Sequence, residues 1–416
     1  MSSNNYNGRI PKLRFPEFSG EWKEKSLEEL GFLTAGGTPS TSNSKYWGGD
    51  VNWLQSGAVQ NCIITEKAVV RKITKLGLQN SAAYLIRPNS VLIAITGATC
   101  ANVGYLTFES AANQSVVSIE PNSDNNAMFL YQKLLTERAN ILSYKGGSAQ
   151  SGVTLGSLKK MTILVPPSLA EQEKIASCLS ELDKMIAEQG QKVNSLKGKK
   201  QALMQQLIPL PGETEPRLRF PGFEGAWVEK KLGDILIERK EVSVITDDLP
   251  QLSFTIAEGV IRPEDRKTNQ RDFLMKDKDS KRFSVTRLND IIYNPANVVF
   301  GAIHKNNLCD GVVSPIYKIF WTKENSDFLN YLLRRPSFIA LLASRAEGTV
   351  TKLKTLKADA FLDMLVPFPV EPSEQDMIAD CLVSLDKLIT VENNKLDLLK
   401  NHKKGLVQQL FPHPIE

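Results

Sequence analysis

Apolar residues recur at alternating steps of four and three in two stretches of the chain. Steps of this kind place the apolar side chains on one face of a helix, as at the a and d positions of a heptad repeat. Each stretch therefore predicts a helix of about 35 residues, a rod roughly 50 Å long. The apolar seam of the first helix consists of Ile175, Leu179, Leu182, Ile186, Val193, Leu196, Leu203 and Leu207, and that of the second consists of Ile378, Leu382, Leu385, Ile389, Leu396, Leu399, Leu406 and Leu410.

The two helices belong to a unit that occurs twice. Residues 11–30 and 216–235 are identical at 11 of 20 positions, and residues 171–209 and 374–412 at 19 of 39. Between these matches the copies are hard to align, which indicates a shared frame with two different working surfaces. An isolated seam is typical of an oligomerisation or core helix, but two seams of equal length and register favour pairing with each other. We therefore expect an antiparallel coiled coil, with Gln189, Lys200, Glu392 and Lys403 in the vacant seam positions.

The parts between the helices predict mixed α+β domains. Strands are expected at residues 91–95, 116–119, 291–294 and 316–320, and short helices at residues 126–143 and 326–344. Prolines flank both rods. The expected divisions are a first globular domain at 1–168, a spacer helix at 169–209, a linker at 210–215, a second globular domain at 216–371, and a second spacer helix with its tail at 372–416.

Composition limits the classes of protein. A chain of 416 residues is too long for one ordinary core and suits two domains. No apolar run reaches membrane-spanning length and residues 1–10 are polar, so we expect a cytoplasmic protein that contacts no membrane. The five cysteines are scattered and form no C-x-x-C pair, which argues against a disulfide framework or a zinc site. A net charge of +5 permits an anionic partner without requiring one.

Polar loops in both copies carry side chains suited to DNA. Amide and hydroxyl groups read base edges, while basic and aromatic side chains add phosphate and stacking contacts. The candidate DNA-binding residues are Thr38, Lys45, Tyr46, Trp47, Gln60, Thr96, Thr99, Asn113, Gln114, Ser148, Gln150, Lys267, Arg271, Asn294, Asn297, Lys305, Ser314, Thr349, Thr351 and Lys352. Residues 304–307 are expected to be part of such a loop. Residues 262–287 hold nine basic side chains against five acidic ones, which fits either a phosphate-binding face or a solvated charged loop.

The sequence offers no grounds for catalysis. It has no phosphate-binding loop for a nucleoside triphosphate and no glycine fingerprint for a dinucleotide or adenosyl cofactor. Residues 294–297 read Asn-Pro-Ala-Asn and lack the second proline and the aromatic of the amino-methyltransferase motif. Three histidines are too few for a histidine-based metal or nucleophile site. We therefore expect a protein that is not an enzyme and holds no metal.

Taken together, these motifs resemble the specificity subunits of Type I restriction-modification systems. The resemblance rests on Pro-Lys-Leu-Arg-Phe-Pro-x-Phe before Trp22 and its copy, on Gly-Gly-Thr-Pro-Ser at 36–40 with Tyr46 and Trp47, on the Glu-Gln helix entries at 171 and 374, on Leu-Asp-Lys at 182–184, and on Gln-Gln-Leu-Ile-Pro at 205–209. It implies two target-recognition domains that each bind half of a split asymmetric DNA site. The second copy departs from it by lacking the Gly-Gly-Thr-Pro stretch and the Tyr-Trp pair.

The resemblance also implies partners. They are double-stranded DNA, two methyltransferase subunits, and the restriction and translocase subunits of a full complex. The chain itself would bind no cofactor, because S-adenosylmethionine, ATP and Mg²⁺ would belong to the partner subunits. Two alternatives stay open from the residues alone. A protein-interaction scaffold would show no steeply salt-sensitive binding to duplex DNA, and a stand-alone methyltransferase would transfer methyl groups without a partner.

Overall fold

The computed structural model describes residues 8–146, 152–210, 212–266, 282–346 and 355–412. The chain divides into two units. Unit 1 comprises Met1–Gln189 and Lys395–Glu416, and unit 2 comprises Gly190–Asn394. Each unit therefore combines one globular head with a part of each long helix.

The head of unit 1 is built of short strands and helices. Its strands are β1 (Lys23–Ser26), β2 (Gly31–Ala35), β3 (Trp47–Leu54), β4 (Cys62–Ile64), β5 (Arg71–Ile73), β6 (Ser90–Ala94), β7 (Val103–Leu106), β8 (Ala111–Ala112), β9 (Val116–Pro121) and β10 (Thr162–Val165). Its helices are α1 (Leu27–Leu30), α2 (Lys75–Gln79), α3 (Ala127–Thr136), α4 (Arg138–Ser143) and α5 (Leu155–Lys160), and it leads into the long helix α6 (Leu169–Leu207). The strands form a main sheet of order β2-β9-β6-β7-β4, a second sheet of order β5-β3-β8, and the pair β1-β10.

The main sheet of unit 1 is covered on both faces. Two of its three inner strands, β6 and β9, are mostly apolar and buried at successive positions, as expected of a strand without a solvent face. Because side chains alternate along a strand, Val91 and Ile93 pack with Phe129 of α3, whereas Leu92 and Ala94 pack with Leu54 on the other side. The sheet therefore separates two cores, and its loops project from the strand ends.

The head of unit 2 repeats the central part of this arrangement. Its strands are β11 (Val228–Lys231), β12 (Ile237–Glu238), β13 (Val242–Ser243), β14 (Ser253–Thr255), β15 (Gly259–Ile261), β16 (Phe283–Thr286), β17 (Ile291–Tyr293), β18 (Ile303–Lys305), β19 (Gly311–Val313), β20 (Lys318–Trp321) and β21 (Leu365–Phe368). Its helices are α7 (Leu232–Ile235), α8 (Ser326–Leu333), α9 (Pro336–Arg345) and α10 (Ala358–Leu362), followed by the long helix α11 (Pro372–Leu410). The sheet order β12-β20-β17-β18 matches β2-β9-β6-β7 of unit 1 strand for strand, which confirms the shared frame.

Two sequence predictions need correction. The helices expected at 126–143 and 326–344 are each interrupted: α3 ends before Glu137, and α8 ends before Arg334. Pro336 explains the second break, because proline cannot donate the backbone hydrogen bond that would continue α8. Residues 304–307 were expected in a loop, but His304 lies inside β18 and is buried.

The long helices pair antiparallel in both units, which confirms the predicted fold class. In unit 1, Lys403 of α11 lies 2.6 Å from Asp183 of α6, and Leu410 shares a core with Ile175 and Leu179. In unit 2, Lys200 of α6 lies 2.7 Å from Asp386 of α11, and Leu207 shares a core with Ile378 and Leu382. In each case an early residue of one helix meets a late residue of the other.

The seam is buried where it meets the heads and again near the middle of each long helix. Ile175, Leu179, Val193, Leu207, Ile378, Leu382, Ile389 and Leu410 are buried, whereas Leu182, Ile186, Leu196, Leu203, Leu385, Leu396, Leu399 and Leu406 are partly exposed. Two of the four vacant seam positions hold Lys200 and Lys403, and each of these lysines binds the aspartate of a Leu-Asp-Lys triplet. Within the described residues, none of the helices is both long and apolar enough to cross a membrane.

The repeated end motifs attach each head to its helices. In unit 1, Arg14 makes a bidentate contact with the buried carboxylate of Glu171 at 2.8 and 2.7 Å, and the indole of Trp22 donates to the same carboxylate at 3.2 Å. The backbone N–H of Leu13 donates to the carbonyl of Gln409 at 3.0 Å. One short segment therefore contacts the start of α6 and the end of α11.

Unit 2 repeats this attachment. Arg219 contacts Glu374 at 2.8 and 2.9 Å, and the N–H of Leu218 donates to the carbonyl of Gln206 at 3.0 Å. The glutamine beside each glutamate binds the backbone where a head helix begins: Gln172 accepts from Asn126, and Gln375 from Asn325. The recurring Arg-Phe-Pro and Glu-Gln motifs are therefore structural.

Candidate nucleic-acid interface

Six of the candidate DNA-binding residues lie at one end of the main sheet of unit 1. At this end β2 and β6 stop and β9, β7 and β4 start, since Ala35 pairs with Val117, Ala94 with Val116, and Ile93 with Val103. We call it the loop end of unit 1, and it consists of residues 36–40, 59–61, 95–102 and 113–115. Its candidate residues are Thr38, Gln60, Thr96, Thr99, Asn113 and Gln114.

Backbone hydrogen bonds hold these loops together. The N–H of Asn113 donates to Leu54 at 2.9 Å, and the N–H of Ile95 donates to Ser115 at 2.9 Å. The hydroxyl of Thr38 donates to the side-chain carbonyl of Gln114. Gln60, Thr96 and Gln114 are exposed, so their polar groups remain available to a ligand.

The loop end also contains residues that the sequence analysis missed. Arg138, in the first turn of α4, donates to the side-chain carbonyl of Asn102 at 2.7 Å. The amide of Asn102 lies 3.4 Å from Gln60, and Asn61 lies 3.4 Å from Asn102. Arg138 falls inside the helix expected at 126–143, and nothing in its local sequence indicates that a new helix starts there, beside the loops. Asn61 has a φ of 54°, a left-handed conformation that asparagine tolerates better than most residues.

A second group of candidates lies on the sheet β5-β3-β8. The indole N–H of Trp47 donates to the carbonyl of Ser40 at 3.1 Å, and its ring packs edge-to-face against Trp53 at 5.1 Å. The guanidinium of Arg71 lies 4.0 Å above the Trp47 ring, a cation–π contact. Lys45 and Tyr46 precede the strand, with Lys45 exposed. The residues 36–40 connect this aromatic and basic group to the loop end.

In unit 2 the structure brings together three candidates and separates a fourth. Asn294 and Asn297 follow β17, and the turn that starts at Ser314 leads into β20, whose Lys318 pairs with Tyr293 at the end of β17. Lys305 lies at the opposite end of this sheet, paired with Ile291. Its side chain is 7% exposed and its ammonium lies 2.6 Å from Asp327. Because its charge is already neutralised, Lys305 does not extend a phosphate-binding surface.

One exposed aromatic residue accompanies the asparagines of unit 2. Phe300 ends the short 3-10 turn Val298–Phe300 and is 67% exposed. Gly301 follows in a left-handed conformation with φ 86°, which turns the chain back into β18. The candidates Ser148, Gln150, Lys267, Arg271, Thr349, Thr351 and Lys352 lie outside the described residues.

Comparison with known proteins shows which family the sequence of this chain is similar to. Residues 19–197 match the model of the Type I restriction modification DNA specificity domain. The chain is 28% identical over 185 residues to the specificity subunit of the Type I restriction enzyme MjaIX of Methanocaldococcus jannaschii, and 27% identical over 193 residues to that of EcoR124I/EcoR124II of Escherichia coli. The alignments cover 43% and 44% of this chain, and they span 40% and 46% of the relatives' lengths, less than half of each.

The similarity of folds extends over nearly the whole chain. The crystal structure of a Type I restriction-modification S subunit from M. genitalium matches with a TM-score of 0.62 and 14% identity. The match covers 97% of this chain and 99% of that one. At this identity the comparison shows a common fold.

Proposed function

We propose, on the premise that this chain belongs to the family of Type I restriction-modification specificity subunits, that it recognises a specific sequence in double-stranded DNA. The observation that carries the proposal is the loop end of unit 1. Loops that are far apart in the sequence place exposed amides and hydroxyls at one edge of a buried sheet, inside the segment matched by the DNA specificity domain. Sites of recognition are commonly built in this way, from loops on a rigid scaffold.

The chemistry of the loop end suits a duplex. The amides of Asn113, Gln114 and Gln60 can each donate and accept, so they can distinguish base edges in the major groove. Arg138 supplies a guanidinium for a phosphate or a guanine edge. Trp47 and Arg71 add an aromatic and a cationic group on the adjoining sheet. The proposed surface thus combines contacts that specify bases with contacts that position the backbone.

Unit 2 would read the other half of a two-part target. Its head has the same strand order as that of unit 1, but its corresponding loops carry Asn294, Asn297, Phe300 and Ser314. A shared frame with different contact residues would read two different half-sites, which makes the whole target asymmetric. The exposed ring of Phe300 is suited to stack on a base or to contact a thymine methyl group.

In a full complex the chain would direct other subunits to the recognised site. The relatives are named specificity subunits of restriction enzymes, so we infer that this chain is a non-catalytic subunit that assembles with two methyltransferase subunits and with restriction and translocase subunits. The S-adenosylmethionine, ATP and Mg²⁺ would be bound by these partners. The proposed target-recognition domains are residues 1–168 and 216–371.

Binding of a duplex that contains the target tests the proposal. We expect Asn113→Ala and Gln114→Ala each to weaken binding by the assembled complex about tenfold or more, since a base contact contributes roughly 1–3 kcal/mol of discrimination. The target is first obtained by sequencing modified bases in cells that carry the wild-type chain with its methyltransferase subunits. Gln191→Ala, which removes an exposed amide from α6, is the matched control. Unchanged affinity of both loop variants would contradict the placement of the site.

A further inference from the structure

A buried guanidinium in unit 2 lacks a complete set of partners. Arg335, the residue before α9, is 2% exposed. Its Nη1 donates to the carbonyl oxygen of Pro209, while its Nη2 has no hydrogen-bond partner within the part of the chain that the structure describes. A buried guanidinium without a hydrogen-bonded counter-charge is unfavourable, because it loses hydration that nothing replaces. Burial accordingly lowers the pKa of Arg335.

Unit 1 has a buried cation in the matching helix, and there it is neutralised. Lys133 of α3 is also almost fully buried, but its ammonium lies 2.5 Å from the carboxylate of Glu137, one helical turn later. In the register that places Phe129 on Phe328, the positions of Lys133 and Glu137 are occupied by Leu332 and Pro336. In this register Arg335 stands three positions after the place of Lys133, and the place of Glu137 is taken by a proline that has no charge.

Arg335 lines a cleft with a volume of about 260 Å³. The other lining residues are Gln205, Leu210, Arg217, Pro336 and Ser337. Arg217 adds a second cation at the surface. The carboxylate of Glu213, which attracts the Arg335 guanidinium, is already bonded to the N–H of Leu210 at 3.0 Å and to Arg217 at 3.2 Å. The cleft thus keeps an excess of positive charge with room for a small ligand.

The start of α9 faces the same cleft. This helix spans ten residues, has proline at its first position, and receives no hydrogen bond from a capping side chain at Arg335. The first N–H groups of a helix have no partner inside the helix, and the helix dipole makes that end attractive to anions. The N–H groups and the hydroxyl of Ser337 can therefore act together with the guanidinium.

We propose that this cleft binds a small oxyanion of the phosphate class. The guanidinium of Arg335 and the first turn of α9 would hold its oxygens, with Arg217 at the entrance. A small anion fits better than the backbone of a duplex, because the guanidinium is recessed and a phosphate on the convex surface of DNA would not reach it. The residues that form this cleft are not among the proposed DNA contacts, and the proposal does not depend on DNA binding.

Titration of the full-length chain with inorganic phosphate tests the proposal. Calorimetry at constant ionic strength, with chloride as the reference anion, should show saturable binding at one site. Arg335→Gln should weaken that binding at least tenfold, and Arg217→Gln a few-fold, whereas Arg345→Gln, at the exposed far end of α9, should leave it unchanged. Circular dichroism checks that each variant is folded. Should Arg335→Gln fail to fold, Arg335→Lys keeps the charge and should retain weakened binding.

Three results would overturn the proposal. The first is the lack of saturable phosphate binding by the wild-type chain. The second is equal binding by wild type and a folded Arg335→Gln or Arg217→Gln variant. The third is displacement of phosphate by a short duplex of unrelated sequence, which would assign the cleft to DNA instead of a small anion.

Discussion

At the scale of single residues, two arginine–glutamate pairs explain why the Arg-Phe-Pro and Glu-Gln motifs occur in both copies. Arg14 and Arg219 each form two parallel hydrogen bonds with a glutamate that is almost fully buried. The planar fork of arginine matches a carboxylate in a way that lysine does not. Selection of this geometry at both head-to-helix junctions explains why Arg-Phe-Pro and Glu-Gln occur twice.

We expect Arg219→Ala to destabilise unit 2 strongly. The substitution leaves the carboxylate of Glu374, which is 2% exposed, without its partner, and such a loss costs roughly 3–5 kcal/mol. Lys231→Ala is the matched control, because the Lys231–Asp363 pair is mostly exposed and should contribute less than about 1 kcal/mol. Urea unfolding of both variants measures the difference. Equal losses of stability would contradict the structural role given to Arg219.

The buried His304 should make the stability of unit 2 depend on pH. Burial, with a smaller effect of Arg334, lowers its pKa from 6.5 to about 4, and its Nε2–H donates to the carbonyl of Ile256 at 2.7 Å. Below pH 6.5 His304 is protonated in the unfolded chain but stays neutral in the folded chain. The free energy of unfolding therefore falls as the pH drops from about 6.5 towards 4. The loss should be about 2 kcal/mol between pH 7 and 5.

A variant without the imidazole checks this expectation. His304→Gln should show a smaller loss of stability over the same interval, because its side chain does not titrate. The free energy of unfolding is measured at both pH values for each protein. If the two proteins lose the same stability between pH 7 and pH 5, His304 is not the group responsible.

At the scale of elements, helices and strands with a repeating apolar pattern could be predicted from the sequence, whereas contacts between residues distant in sequence could not. The heptad seam predicts the long helices, and alternation or apolar runs predict β6 and β9, because these patterns are local. The breaks between α3 and α4 and the burial of Lys305 beside Asp327 depend on neighbours that are distant in sequence. For the same reason Arg138 could not be recognised as a neighbour of Asn102.

The polar positions of the seam are also explained only by the pairing of the helices. Lys200 and Lys403 stand where an apolar residue would continue the seam, and each reaches an aspartate of the other helix. Polar residues at such positions are known to fix the register and orientation of helix pairs at some cost in stability. We therefore infer that these pairs specify the antiparallel arrangement.

Charge reversal tests this inference in unit 1. Lys403→Glu should lower the stability by roughly 1–2 kcal/mol, because it places a second negative charge beside Asp183 in a partly buried seam. Combining it with Asp183→Lys should restore most of the loss. Lys400→Glu, at an exposed position of α11 where the ammonium lies 4.0 Å from Asp397, should have little effect. Thermal unfolding of the single and double variants would contradict the inference if the double variant were no more stable than Lys403→Glu.

At the scale of the whole molecule, each unit contains its own core, its own head and parts of both long helices. The matching strand order β2-β9-β6-β7 and β12-β20-β17-β18 explains how one frame can carry two sets of loops. The proposed division into heads, spacer helices and linker follows from the repeat and remains a prediction. If this division is right, each head recognises its own half-site independently of the other head.

Exchange of one head measures this directly. Residues 23–165 are replaced by the corresponding segment of a Type I specificity subunit, and modified bases are sequenced in cells that carry the hybrid with the proposed methyltransferase subunits. We predict that one half of the methylated target changes while the other half keeps the wild-type sequence. A change in both halves, or in neither, in a hybrid that still supports methylation would contradict it.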